Sequence, residues 1–190
     1  MAPVVGVLAL QGDFEAHAAV LRDLGAEPRE VRVPADLEGI DGLIVPGGES
    51  TVMSRGIQRE GLAEPIRDLA GAGAPVLGTC AGLIMLDRDH LDLIDIRARR
   101  NAFGRQVRSF EAELDVGGIE GGPVRAVFIR APWIDEHGPE VEVLARVEGH
   151  PVAASQDGIT VVAFHPELSS DRRVHERFLE SVRACAQARA

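Results

Sequence analysis

Short apolar runs alternate with amphipathic stretches through the first part of the chain. The runs are continuous rather than alternating, which is typical of parallel strands buried on both faces. The apolar runs lie at Val4 to Leu10, Gly42 to Val45 and Ala74 to Leu77, and helical patterns lie at Phe14 to Leu24, Thr51 to Arg59 and Leu62 to Ala72. This βαβ spacing predicts a parallel sheet with helices on both faces.

The pattern changes in the second half, where apolar runs follow one another closely. Predicted strands lie at Gln106 to Leu114, Val124 to Ile129, Val141 to Val147, Val152 to Ser155 and Ile159 to Phe164. Such spacing favours antiparallel additions to the sheet. A final helix from about Arg173 to Ala188 would pack through Val174, Phe178, Leu179 and Val182, and Cys185 continues that face as a buried structural thiol. We therefore predict an α/β fold, a three-layer sandwich with a central mostly parallel sheet, in a single domain over residues 1–190.

A cysteine between two glycines follows the third apolar run. The segment Gly78 to Gly82 reads G-T-C-A-G, a cysteine version of the turn that lifts a nucleophile out of a sheet at the start of a helix. A helix N-terminus favours the thiolate, which is the attacking form, and a nearby histidine would complete the activation. Without such a partner, a buried structural thiol would explain Cys80 equally well.

The candidate partner is His165, which follows the run Ile159 to Phe164. Pro166 cannot donate to a strand ladder, so the strand should stop there and present His165 and Glu167 at its carboxyl end. This arrangement suits a histidine that acts as a base and a carboxylate that orients it. The other histidines are expected on helix surfaces or in loops, because none combines a strand end with an adjacent acid: they are His17, His90, His137, His150 and His175.

A second strand-to-helix turn follows the run Leu43 to Val45 and reads P-G-G-E-S-T from Pro46 to Thr51. Paired glycines let backbone N–H groups converge on an oxyanion or on a substrate carboxylate. The alternative is an ordinary tight turn in which Ser50 or Thr51 caps the next helix. A phosphate loop is excluded, because its G-x-x-x-x-G-K-[ST] pattern needs a lysine and the chain has none.

Composition and charge narrow the function further. A net charge of −10 argues against nucleic-acid binding. All 20 basic residues are arginine, so chemistry through a lysine Schiff base would have to occur on another chain. No apolar run is long enough to span a bilayer, which predicts no membrane association. Two cysteines and no apparent signal peptide favour a cytoplasmic protein.

Taken together, these motifs resemble the class I, triad-type glutamine amidotransferases, and more narrowly the glutaminase subunit of pyridoxal 5'-phosphate synthase. The resemblance covers nearly the whole chain. Its segments are Gly6 to Gly12, Asp41 to Thr51, Gly78 to Leu83, Arg100 to Phe110, Val127 to Pro132 and Phe164 to Leu168. Two rivals stay open, namely a glutaminase subunit of another class I amidotransferase and a cysteine-elbow peptidase or deglycase-like protein.

The resemblance implies a role for each matching position. Cys80 would be the nucleophile, His165 the general base and acid, and Glu167 its orienter. L-Glutamine would be bound by Gly48, Glu49, Ser50, Arg100, Ile129 and Arg130, and the backbone N–H groups of Gly48 and Ala81 would hold the oxyanion. Gln11 would brace the site or touch a partner. The resemblance implies no cofactor and no metal, and it implies a hetero-oligomeric complex with a barrel-fold synthase subunit that receives the ammonia.

One stretch departs from the family pattern. Residues Asp87 to Arg99 are unusually charged and form a shorter connection than is usual in the family. Charge clusters are usually solvated, so we expect a trimmed surface loop after the elbow helix. The triad positions lie outside this stretch. Arg100, which would line the rim of the glutamine pocket, directly follows it.

Overall fold

The computed structural model describes residues 2–103 and 109–189. The strands are β1 (Val4–Leu8), β2 (Glu27–Val31), β3 (Gly42–Val45), β4 (Val76–Thr79), β5 (Ile96–Arg99), β6 (Ser109–Leu114), β7 (Val124–Ile129), β8 (Trp133–His137), β9 (Glu142–Val147), β10 (His150–Gln156) and β11 (Ile159–Val162). The helices are α1 (Phe14–Asp23), α2 (Ser50–Arg59), α3 (Ala63–Gly71), α4 (Ala81–Leu86) and α5 (Arg173–Arg189), with 3-10 turns at Pro34–Leu37 and Pro166–Leu168.

Within these residues, seven strands form one sheet in the order β2-β1-β3-β4-β11-β10-β9. The strands from β2 to β11 in this order pair in parallel, and β10 and β9 join in antiparallel fashion. Two antiparallel pairs, β5 with β8 and β6 with β7, lie outside the main sheet. The predicted α/β fold, with a mostly parallel sheet and later antiparallel additions, is confirmed.

Two glycines show that α4 and α5 cover opposite faces of the sheet. A Cβ on Gly42 would meet Val182 and Phe178 of α5, whereas one on Gly78 would meet Leu86 of α4. Gly78 pairs with Val45, which lies three positions beyond Gly42 on the same strand. Because side chains alternate between faces along a strand, the two glycines face opposite sides. The three-layer arrangement follows from this geometry.

The core is mainly aliphatic, as the composition of the runs predicts. The central strands β3 and β4 are buried along their whole length, which explains their continuous apolar sequences. Phe128 and Phe164 are the aromatic members of the fully buried set, and their rings meet edge to face at 5.6 Å. Across the described ranges, no helix has both the length and the apolar character needed to cross a membrane.

Several boundaries, and three strands, differ from the sequence predictions. The strand β11 ends at Val162 rather than Phe164, and β4 is shifted towards the cysteine. Residues 106–108 of the predicted strand before Leu114 lie outside the described residues. The strands β2, β5 and β8 were not predicted, because each is short and contains at least two charged residues: β2 reads E-P-R-E-V, and only its last residue is fully buried. Such a strand is stabilised by its neighbour rather than by its own pattern.

The charged stretch from Asp87 to Arg99 is not simply a surface loop, which corrects the prediction. Its last four residues form β5, which pairs with β8. Asp87 is buried, and its carboxylate accepts hydrogen bonds from the backbone N–H groups of Asp89 (3.0 Å) and Ala98 (3.1 Å) and contacts His90 Nδ1 at 2.7 Å. The buried carboxylate therefore holds the backbone of the segment in place through these hydrogen bonds. The outer charges behave as expected, with Arg97 paired to Asp89 and Glu136 at the surface.

Candidate active site

Cys80 occupies a strained turn between β4 and α4. Its backbone has φ 48° and ψ −104°, a conformation that residues with a Cβ rarely adopt. Gly82 makes the turn possible, because a Cβ there would lie 1.9 Å from the carbonyl oxygen of Val45. The Cys80 N–H donates to the carbonyl of Val162 on the neighbouring strand at 2.8 Å. Strain of this kind is common at functional sites, where the surrounding structure holds it in place.

His165 and Glu167 lie together beside this turn. The imidazole Nδ1 is 2.7 Å from Glu167 Oε1, and both side chains are almost completely buried. The His165 backbone N–H donates to the carbonyl of Val127, which anchors the residue to β7. Burial opposes a charge on His165, but hydrogen bonds with Cys80 and Glu167 and the negative charges of those groups outweigh it and raise the pKa of His165 to about 10. The contacts with Glu167 and Cys80 therefore favour a protonated imidazole.

The glycine-rich turn after β3 packs against both Cys80 and His165. A Cβ on Gly47 would lie 2.6 Å from His165 Cε1 and 3.4 Å from Cys80 Cβ, so only glycine leaves room for both. The following helix is capped by Glu49, whose carboxylate accepts from the N–H groups of Thr51 and Val52, and these hydrogen bonds lower its pKa. The predicted alternative caps, Ser50 and Thr51, are therefore wrong. The Glu49 N–H itself donates to Gln11 Oε1 at 2.6 Å, so Gln11 braces this turn.

The residues singled out from the sequence converge on one cavity of about 410 Å³. Those that line it are Gly48, Glu49, Ser50, Cys80, Ala81, Arg100, Ile129, Arg130 and His165. Glu167 lies behind His165, with a side chain that is wholly buried. Ile129 also offers a backbone carbonyl 3.9 Å from the Cys80 sulfur. The structure thus brings together every predicted site residue, with Glu167 as the outer support.

Charged groups of both signs reach this cavity. Arg100 and Arg130 are exposed in its wall, and Arg100 donates to Thr51 Oγ1 at 3.2 Å. Asp13 and Glu49 supply carboxylates, and Asp13 Oδ2 is 3.6 Å from His165 Nδ1. Sequence reasoning missed four lining residues: Asp13, Ile84, Asn101 and Pro132. Asn101 and Pro132 lie within segments that carried the resemblance and Asp13 directly follows one, so those segments were the available signal.

Two of the remaining histidines contradict the surface prediction. His17 and His175 are completely buried, while His137 is exposed and His90 and His150 are half-buried. A signal for both was present in the sequence. His17 lies four positions before Leu21 on α1, and His175 lies four positions before Leu179 on α5, so helical periodicity places each histidine on the buried face.

The fold and this cavity together are those of a glutamine amidotransferase. The SNO glutamine amidotransferase family matches residues 7–184, and the chain belongs to that family. The resemblance drawn from the motifs is thereby confirmed.

Individual relatives agree over almost the full length. A protein of Frankia alni named pyridoxal 5'-phosphate synthase subunit PdxT is 52% identical over 196 residues, covering 98% of this chain and 98% of its own. The protein of the same name from Mycobacteroides abscessus is 51% identical over 193 residues, covering 97% of this chain and 100% of its own. A crystal structure described as a glutamine amidotransferase is 44% identical, with a TM-score of 0.88 over 94% of this chain and 98% of that one.

Proposed function

We propose that the chain is the glutaminase subunit of a pyridoxal 5'-phosphate synthase, which hydrolyses L-glutamine to glutamate and ammonia. The observation that carries the proposal is the juxtaposition of Cys80 and the buried His165–Glu167 pair on one cavity. The name shared by the Frankia and Mycobacteroides relatives supports the assignment to this synthase. The same names argue against the rival amidotransferases and the peptidase or deglycase-like alternative.

Catalysis begins with attack of the Cys80 thiolate on the side-chain amide carbon of glutamine. His165, as imidazolium, donates its proton to the departing ammonia, leaving a thioester on Cys80. The neutral imidazole then takes a proton from water, which attacks the thioester and releases glutamate. Glu167 holds Nδ1–H of His165 throughout, so that Nε2 faces the reacting atoms and the imidazolium is stabilised.

The negative oxygen of each tetrahedral intermediate needs donors that are already in place. The backbone N–H groups of Gly48 and Ala81 are our candidates, because both residues line the cavity and Ala81 directly follows the nucleophile. Gly48 has φ 151°, and a Cβ there would lie 2.4 Å from Gln11 Oε1, so the turn depends on glycine at this position. Gln11 thus supports the turn that carries one proposed donor.

The zwitterionic end of glutamine requires groups of both signs. Arg100 and Arg130 are suited to its carboxylate, whereas Glu49 and Asp13 are suited to its ammonium. Ser50 and Ile129 line the same cavity and would complete the contacts. A cavity of about 410 Å³ is large enough for an amino acid of this size.

The ammonia would pass to a barrel-fold synthase subunit in a hetero-oligomeric complex, because the chain has no lysine for Schiff-base chemistry of its own. A cytoplasmic location is part of the same proposal. It is supported by the two cysteines, Cys80 and Cys185, which are both free thiols.

The test is glutamate release from glutamine, measured for the purified chain with and without a pyridoxal 5'-phosphate synthase barrel subunit. We expect release that depends on the barrel subunit, is abolished in Cys80→Ala, and persists in the matched thiol control Cys185→Ala. Release that the barrel subunit does not alter would contradict the assignment to this synthase. Release by Cys80→Ala would contradict the proposed nucleophile.

A further inference from the structure

Two buried histidines continue the line of groups behind Glu167. His17 Nε2 lies 3.3 Å from Glu167 Oε2 and 3.2 Å from Thr79 Oγ1. His17 Nδ1 lies 2.9 Å from His175 Nε2. Both imidazoles are fully buried, and neither lines the glutamine cavity. The mechanism above uses only one oxygen of Glu167, so the group facing the other oxygen needs an explanation.

The hydrogen-bonding capacity of these atoms selects one pair of tautomers. With its proton on Nε2, His17 directs an N–H towards Thr79 Oγ1 and the adjacent carboxylate oxygen of Glu167, and its bare Nδ1 accepts from His175 Nε2–H. The opposite choice would turn a lone pair of His17 towards Glu167. It would also put a proton on His175 Nδ1, a buried atom with no hydrogen-bond partner among the described residues. A buried donor left unpaired costs about 1–3 kcal/mol, so the first arrangement is favoured.

Both histidines remain uncharged at neutral pH. Burial, the neighbouring His175 and the more distant His165 hold the pKa of His17 well below its usual range. Burial and the nearby Arg172 lower the pKa of His175 to about 4. The group that faces Glu167 is therefore a neutral N–H donor, which can orient the carboxylate without cancelling the negative charge that His165 requires.

We propose that His17 is a positioning residue for the glutaminase reaction, whose neutral Nε2–H holds the second oxygen of Glu167, while His175 fixes the tautomer of His17. Glu167 Oε2 has no hydrogen-bond partner among the described residues, and His17 Nε2 lies 3.3 Å from it. This inference rests on the proposed function, because it assigns His17 to the support of that triad.

The chain allows a matched pair of substitutions at position 17. In His17→Gln, the amide nitrogen can occupy the place of Nε2 and still donate to Glu167. In His17→Asn, the shorter amide reaches only the place of Nδ1, so the donor to Glu167 is lost. With the barrel subunit present, we expect His17→Asn to lower kcat about tenfold with KM within about twofold, and His17→Gln to stay within about threefold of wild type.

A second measurement needs neither glutamine turnover nor the barrel subunit. The rate of Cys80 alkylation by iodoacetamide, followed against pH in the isolated chain, reports the thiolate that His165 stabilises. We expect the profile of His17→Asn to move to higher pH, and that of His17→Gln to stay close to wild type. His175→Leu, which removes the donor to His17 Nδ1, should shift the profile in the same direction as His17→Asn. The exposed histidine supplies the control, His137→Asn, with an unchanged profile.

The outcomes separate the two proposals. If wild type releases no glutamate with the barrel subunit, the proposed function fails, and the alkylation profiles still decide the role of His17. If both position-17 variants lose activity equally and in proportion to their loss of thermal stability, His17 is merely structural and the positioning role is overturned. A wild-type kcat and alkylation profile in His17→Asn would overturn it as well.

Discussion

Gly47 lies directly against the imidazole of His165. A Cβ on Gly47 would stand 2.6 Å from His165 Cε1, closer than real Cβ contacts, and 3.1 Å from Nδ1 of the same ring. That ring is also bound to Glu167 at 2.7 Å, so it cannot move away without lengthening this hydrogen bond. The position of the proposed base is therefore set from two sides, by a carboxylate and by the absence of a side chain.

Adding a methyl group at Gly47 should disable catalysis while leaving the fold intact. In Gly47→Ala, the His165 ring must shift, and a displacement of about 1 Å in a catalytic group costs about 100-fold in rate. We expect kcat for glutamate release with the barrel subunit to fall by about that factor. The control is Gly71→Ala at the end of α3, where a Cβ would meet nothing within 4 Å. Equal activity of the two variants would show that the contact at Gly47 is unimportant.

Removing the Asp87 carboxylate should destabilise the protein, although the residue lies in a strongly charged stretch. In Asp87→Ala, the N–H groups of Asp89 and Ala98 lose their acceptor inside the structure. We expect the free energy of unfolding to drop by about 2–4 kcal/mol, measured by urea denaturation.

The matched control for Asp87 is its exposed neighbour Asp89, whose side chain pairs with Arg97 at the surface. Asp89→Ala should change the free energy of unfolding by no more than about 0.5 kcal/mol. If the two substitutions had the same effect, the stretch would be a solvated loop after all.

The raised pKa of His165 predicts a loss of stability at alkaline pH. The folded protein holds this proton up to about pH 10, whereas the unfolded chain releases it near 6.5, so the folded state binds more protons between these values. The contribution is complete below about pH 6.5 and is lost as the pH rises towards 10. We expect the free energy of unfolding of wild type, relative to His165→Gln, to fall by at least about 2 kcal/mol across this window. A difference that is independent of pH would contradict a charged His165 in the folded protein.

The parts of the site that the sequence predicted are those whose signal is local. Cys80 lies between two glycines at the end of an apolar run, and His165 ends another run beside a proline and an acid. In each case the residues that determine the local backbone geometry belong to the motif itself. The glycines are required because a Cβ on Gly82 would collide with the backbone of Val45, and the sequence shows them directly.

The rest depends on contacts between distant segments. His17 and His175 are 158 positions apart and come together only where α1 and α5 meet, with His17 beside the Glu167 carboxylate. Their helical periodicity carried a signal for burial that the surface prediction missed, and nothing in the sequence indicated that they face each other. The strand β5 has the same origin, because the alternation in I-R-A-R is too short to predict a strand by itself and the segment pairs with β8.

Cys80 and His165, the proposed nucleophile and base, are separated by some 80 residues of chain, yet they follow strands that lie side by side. Strand β11 enters the sheet between β4 and β10, with Val162 opposite Thr79. Until this late strand is in place, Cys80 lacks both its backbone partner, the carbonyl of Val162, and the neighbouring imidazole of His165. The proposed nucleophile and its proposed base therefore come together only when the sheet is complete, so a nascent or partly folded chain carries neither in working order.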